Sequence, residues 1–324
     1  MHRIFSGRRS GRLVPAVVAL AGAAVVFAPG LSALMAGTHD AQDNRTVYLS
    51  VTDQQGVPVT DLRADEVMIR EGGQGMEPAI REVISVKKAT EPMSIMLLAD
   101  TSKATGGAGM SQRGSVSGSE LVRDVRVAFS AFVKTMSAAS PDTKMELMEF
   151  GQAAVTITGM TSNAQDLQNG INKLFPKNNM PAVLLEAITE AGKILAKTPT
   201  ERRAIVALNV LPTDEQSRQA PNQMLQAVRS ANASVWAVSY NSGTVAADPR
   251  GVVLDALATN TGGRRETIAS QSALELHMTN VANALANQYE ITFHRPKGGP
   301  QPEIIQFGLT RQGLRMMASI YAPK

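Results

Sequence analysis

Ser94-Ile95-Met96-Leu97-Leu98-Ala99 runs apolar after its first residue and ends at Asp100-Thr101-Ser102. A strand with one wet face would alternate polar and apolar residues, so an unbroken run of this length predicts a strand buried on both faces of a parallel sheet. Ala204-Ile-Val-Ala-Leu208 and Ser234-Val-Trp-Ala-Val238 have the same character. Stretches of helical period lie between and beyond them. Glu120 to Met136 places Leu121, Val125, Phe129, Phe132 and Met136 on one face, and Ala182 to Ala196 does so with Leu184, Leu185, Ile188 and Leu195. Pro221 opens a third helix carrying Met224, Leu225 and Val228, and Leu274, Met278, Val281 and Leu285 mark a fourth. Alternation of this kind predicts an α/β domain with a doubly wound, mostly parallel sheet over residues 91–287.

On either side the pattern changes to short strands separated by turns. Before the domain come Val47-Tyr-Leu-Ser-Val-Thr-Asp53, a Gly56-Val-Pro58 turn, and strand candidates at Glu66 to Arg70 and Ile80 to Val86. After it come Tyr289-Glu-Ile-Thr-Phe-His294, Glu303-Ile-Ile-Gln-Phe307 and Leu314 to Tyr321. Neither group buries much surface alone, so residues 46–90 and 288–324 are expected to pair into one small composite β domain. Residues 1–12 are basic and lack acidic groups, and Leu13 to Ala36 is apolar. Residues 1–36 therefore read as an export signal or, through residues 13–36, a membrane anchor, followed by a linker at 37–45. Arg8-Arg9 also fits a twin-arginine signal, although ordinary basic residues of a leader suffice.

The formal charge of +4 comes from that leader. Removing Arg3, Arg8, Arg9 and Arg12 from the 32 basic residues leaves 28 against 28 acidic ones. A neutral body has no electrostatic footprint for nucleic acid. The absence of cysteine excludes disulfides, thiol catalysis and Cys-based metal centres, and the four scattered histidines form no metal-binding spacing.

Asp100-Thr-Ser102 at the end of an apolar strand resembles the first metal-binding motif, Asp-x-Ser-x-Ser, of von Willebrand factor A domains. Val51-Thr-Asp-Gln-Gln-Gly56, Val57-Pro-Val-Thr-Asp-Leu62, Ala258-Thr-Asn-Thr-Gly-Gly-Arg264, the Tyr289 strand, Gly313-Leu-Arg and Ile320-Tyr-Ala-Pro323 resemble, in order and spacing, the exported VWFA-related family described from Acidobacteria. The resemblance implies a metal-ion-dependent adhesion site at the strand ends, where Asp and Ser oxygens would hold Mg²⁺ and leave a position for a partner's carboxylate. It carries over in part. Asp100 and Ser102 match, but the other expected ligands fall on Ala104, Ala182 and Val210, which offer no lone pair. A weak, vestigial site would use Asp100, Ser102 and Asn209. Asp214 would supply the late carboxylate if the strand ran further, against which Pro212 argues.

Thr105 to Ser119 is rich in Gly and Ser. Thr105, Gly107, Arg113 and Ser117 are candidates for a partner-binding loop, against the plainer reading of a loop without fixed conformation. No catalytic motif emerges: Gly114-Ser-Val-Ser-Gly118 has Val116 where a nucleophile would stand. His277 reads as a surface or packed residue, Glu146 and Glu149 as solvated edges, Trp236 as core, and the 16 methionines as packing. The expectation is a non-enzymatic, cell-envelope protein-interaction module with no required cofactor and an unknown protein partner. An Mg-dependent adhesin-like receptor and a hydrolase with an unrecognised site are the alternatives.

Overall fold

The computed structural model describes residues 42–74, 76–102, 118–177, 180–211, 215–241 and 249–323. Its central sheet has six strands: β5 (Met93–Asp100), β6 (Lys144–Phe150), β7 (Ala154–Thr161), β8 (Arg202–Leu211), β9 (Ala233–Asn241) and β10 (Arg265–Ile268). They are ordered β10-β9-β8-β5-β6-β7, all parallel except the edge strand β7. The chain winds from β5 outward through β6 to β7, then crosses to β8 and winds the other way. That reversal makes the sheet doubly wound and puts a crevice between the ends of β5 and β8.

The apolar runs are continuous because successive side chains serve two cores. Ile95, Leu97 and Ala99 of β5, with Ala204, Val206 and Leu208 of β8 and Trp236 and Val238 of β9, face helices α1 (Gly118–Ala139), α2 (Ala164–Ile171) and α6 (Leu274–Ala286). Met96 and Leu98, with Ile205, Ala207, Val235 and Ala237, face α3 (Leu184–Leu195), α4 (Pro221–Ala231) and α5 (Pro249–Asn260). Strict alternation between two dry faces demands an apolar residue at every position. Among the described residues no helix is long and apolar enough to cross a membrane.

The flanking segments build two antiparallel sheets. In one, β13 (Arg315–Ala318), β1 (Gln42–Thr52), β11 (Tyr289–Pro296) and β4 (Val83–Lys88) lie in that order. In the other, β12 (Ile304–Leu309), β2 (Val67–Gly73) and β3 (Met76–Arg81) do. N-terminal β1 thus pairs with C-terminal β11 and β13, with Val47 opposite Ile291 and Val51 opposite Met316. Leu49, Val51, Ile69, Ile291, Phe293 and Ile305 fill the small core between the sheets. Two sequence readings need correction. The strand begins at Gln42, inside the stretch read as linker, because Asn44 and Arg45 find partners in His294 and Phe293. The single strand expected from Ile80 to Val86 is two, β3 and β4, in different sheets; the chain changes sheet at Glu82, whose carbonyl accepts from His294 N at 3.0 Å.

The sandwich is joined to the α/β sheet rather than tethered beside it, and Asp40–Lys324 forms one compact unit. Ser50 donates to the carbonyl of Ala284 in α6 at 3.0 Å. Arg202 at the foot of β8 reaches across the seam to the carbonyls of Glu91 and Leu285.

Candidate functional site

Asp100 sits at the last position of β5, beside the end of β8 and therefore at the crevice where the winding reverses. It is 1% exposed. Oδ1 accepts from the backbone N–H of Ser102 at 2.9 Å and Oδ2 from that of Val210 at 3.0 Å. Burial pushes its carboxyl above the usual carboxylate range, opposed by the charge of Arg250 and by hydrogen bonds from Ser102 and Val210. A carboxylate so placed is an acceptor already engaged by the backbone of two segments.

The other expected ligands are distributed differently. Ser102 is buried beside Asp100. Asn209 is buried too, but its Oδ1 accepts from Ser239 Oγ at 2.8 Å, and that hydroxyl accepts from Arg265 Nε at 2.9 Å. Its amide Nδ2 has no partner among the described residues. Val210 contributes an N–H to Asp100 while its isopropyl group packs in the core beneath α1 and α6. Ala182 is fully buried and forms a parallel bridge with Glu215. Strand β8 is described through Leu211. Asp214 lies outside the described residues, as do Thr105, Gly107, Arg113 and Ser117.

Two charged residues that sequence reasoning passed over complete the site. Arg250, in the first turn of α5, has a side chain only 3% exposed; its Nη1 lies 2.9 Å from Glu215 Oε2. Its Nη2 donates to the carbonyl of Val210 at 3.4 Å. Glu215 also accepts from Ser217 Oγ at 2.5 Å and from the backbone N–H of Leu184, at the start of α3, at 3.4 Å. A faint signal existed: a cation in the first turn of a helix opposes the helix dipole, and at a buried position it needs a carboxylate.

Nearby acids also differ from expectation. Glu146 and Glu149 were read as solvated edges, yet both are buried. Glu146 Oε1 accepts from Thr156 Oγ1 at 2.7 Å, and Glu149 pairs with Lys177, whose backbone N–H donates to the carbonyl of Thr101 at 2.7 Å. Charges inside this sheet are tolerable because each has a local partner. His277 is half-buried against Glu266. Trp236 is fully buried, with Nε1 donating to Ser234 Oγ.

Strand order, the antiparallel edge strand and the crossover at β5 and β8 define the class: a doubly wound, mostly parallel α/β domain with a composite β sandwich. No protein-family profile matches the chain, and no curated protein matches it in sequence. Solved structures do align with it. A von Willebrand factor type A protein from Catenulispora acidiphila gives a TM-score of 0.48 at 10% identity, over 86% of this chain and 75% of its own. Proximal thread matrix protein 1 from the mussel byssus gives 0.47 at 15% identity over 60% of this chain, and the match spans 48%, about half, of the mussel protein. A form of that mussel protein described with a zinc-occupied MIDAS motif aligns at 0.47 and 15% identity, over 67% of this chain and 50% of its own.

A divalent ion does not fit the described residues at the expected ligand positions. Each Asp100 oxygen already accepts a backbone N–H, Asn209 Oδ1 accepts from Ser239, the Ala182 and Val210 side chains offer only carbon, and the guanidinium of Arg250 exerts its charge on Asp100. Among the described residues no group of three or more His, Asp or Glu side chains converges as a metal cluster would.

Proposed function

We propose that the chain is a non-enzymatic protein-interaction module of the cell envelope, exported by residues 1–36, and that it engages its partner without a metal ion. The rim at the C-terminal ends of β5, β6, β8 and β9 is the face on which open α/β sheets receive ligands. The observation that carries the metal-independent reading is that both Asp100 oxygens are engaged by the N–H groups of Ser102 and Val210 while the other expected ligand positions, Ala182 and Val210, carry only hydrocarbon side chains. In an adhesion site that carboxylate would hold the ion through which a partner's acidic side chain binds. Here it ties the two strand ends together.

The test is capture of partners on the immobilised full chain from envelope extracts of the source cells, with and without EDTA, followed by titration of the recovered partner. Affinity unchanged by chelator is expected. Binding abolished by EDTA and restored by Mg²⁺ would overturn the reading in favour of the adhesin-like receptor, with Asp214→Ala as the next variant. Labelling of the chain by hydrolase-directed probes would overturn the non-enzymatic part.

A further inference from the structure

We propose that the guanidinium of Arg250 is the resident cation of the Asp100 site, a tethered positive charge that offsets the carboxylate charge there and excludes a divalent ion. The inference rests on the metal-independent reading above and supplies its cause.

Three observations meet at one point. Arg250 is buried in a helix first turn, where the dipole disfavours a cation, so something specific holds it there. Its Nη1 pairs with Glu215 at 2.9 Å, and Glu215 stands beside Ala182, where the family's threonine ligand is replaced by a methyl group. Its Nη2 meets the carbonyl of Val210 at 3.4 Å, and the N–H of that same residue donates to Asp100 Oδ2 at 3.0 Å. One residue of β8 therefore meets the carboxylate with its N–H and the guanidinium with its carbonyl. The buried carboxylate of Asp100 from β5 and the partly buried one of Glu215 from beyond β8 share one arginine from α5.

The chemistry explains why ligands can be lost without leaving an uncompensated charge. A buried carboxylate that loses its metal is left with a large desolvation cost. A guanidinium removes that cost permanently because it stays charged at all physiological pH values and is carried by the chain itself. It also disfavours a divalent ion, since like charges repel more strongly in a site shielded from water. Arg250 Nε is buried with no partner among the described residues, within which the arginine is held by its two terminal nitrogens.

The experiment is a double-mutant cycle in thermal stability on the full chain, using Arg250→Met, Asp100→Asn and the pair, with Arg250→Lys beside them and a Mg²⁺ and Mn²⁺ titration of the unsubstituted protein. Arg250→Met is expected to lower Tm by about 10 °C, the order for stripping one partner from a buried charge cluster. Arg250→Lys recovers part of that loss. In the Asp100→Asn background Arg250→Met costs distinctly less, because the carboxylate it neutralised has gone. Millimolar Mg²⁺ or Mn²⁺ leaves the Tm of the unsubstituted chain unmoved. Additive losses in the cycle would overturn the proposal, and so would a metal-induced rise in Tm that Asp100→Asn removes. Should Arg250→Met fail to fold, Arg250→Lys takes its place in the cycle and the same comparison decides. No partner is used in these measurements. A chain that captures nothing would sink the interaction reading and leave the tethered cation standing, whereas additive losses without metal binding would do the reverse.

Discussion

Glu71 shows how much one buried charge decides. It is 0% exposed, with Oε2 2.8 Å from Arg81 Nε and 3.1 Å from Arg295 Nε, so it joins β2 to β3 and to a strand of the opposite sheet. Removing it leaves two guanidiniums without their shared partner. Glu71→Ala is expected to destabilise the chain by about 3–5 kcal/mol, read from urea denaturation, with Glu71→Gln intermediate. A loss below about 1 kcal/mol would show that water replaces the carboxylate. Tyr48 makes the second residue-scale case. Its phenol is pushed up to about 12 from 10.0, first by burial and then by Glu91, Glu290 and Glu201. A raised pKa means the fold prefers the protonated form, so this contribution is fully present below pH 10 and is lost as pH rises through about 12. Tyr48→Phe should therefore hold its melting temperature better than the parent between those values, and parallel curves would refute the assignment.

At the scale of elements, the turn after α5 is the position least tolerant of change. A Cβ on Gly263 would lie 1.9 Å from the carbonyl oxygen of Val235, a backbone atom of β9 that cannot retreat. Gly262 adopts φ +83 and would meet Ser319 N at 2.5 Å. The Thr-Gly-Gly segment is thus where α5 passes between the central sheet and the C-terminal tail, which gives a physical reason for the motif. Gly263→Ala should cost about 3 kcal/mol or more. Gly298→Ala, at φ +80 but in open space, should cost only about 1 kcal/mol. Equal costs would mean that the close approach is relieved by a small shift. Among the elements not visible in the sequence were β7, α2, α5 and β10. Edge strand β7 is half-exposed over most of its length, and β10 has only four residues, so neither shows an apolar run.

For the molecule as a whole, the sandwich depends on both ends of the chain. Cutting at Ala286 removes β11, β12 and β13, which leaves β1 with no strand neighbour and strips Tyr289, Ile291, Phe293 and Ile305 from the small core. It also removes the Tyr289 hydroxyl, which accepts from Leu62 N and donates to the carbonyl of Val59, both at 3.0 Å. A chain ending at Ala286 should lose the cooperative melt of the whole, followed by circular dichroism. Retention of the parent transition would mean that the α/β sheet stands without its sandwich.

The sequence by itself determined the three middle strands β5, β8 and β9 of the central sheet, four helices, the return to β structure at the C-terminus, and the place of Asp100 and Ser102. These depend on local properties: the period of apolar residues, the length of a dry run, the residue that ends it. Tertiary structure alone decided what Asp100 does. Val210 N–H, Arg250 and Glu215 stand 110 or more residues from it along the chain and are brought within reach only when β5, β8, α3 and α5 converge. A missing ligand leaves a visible gap in a motif. A compensating charge can come from any element that ends nearby, and nothing in the spacing of residues announces which one.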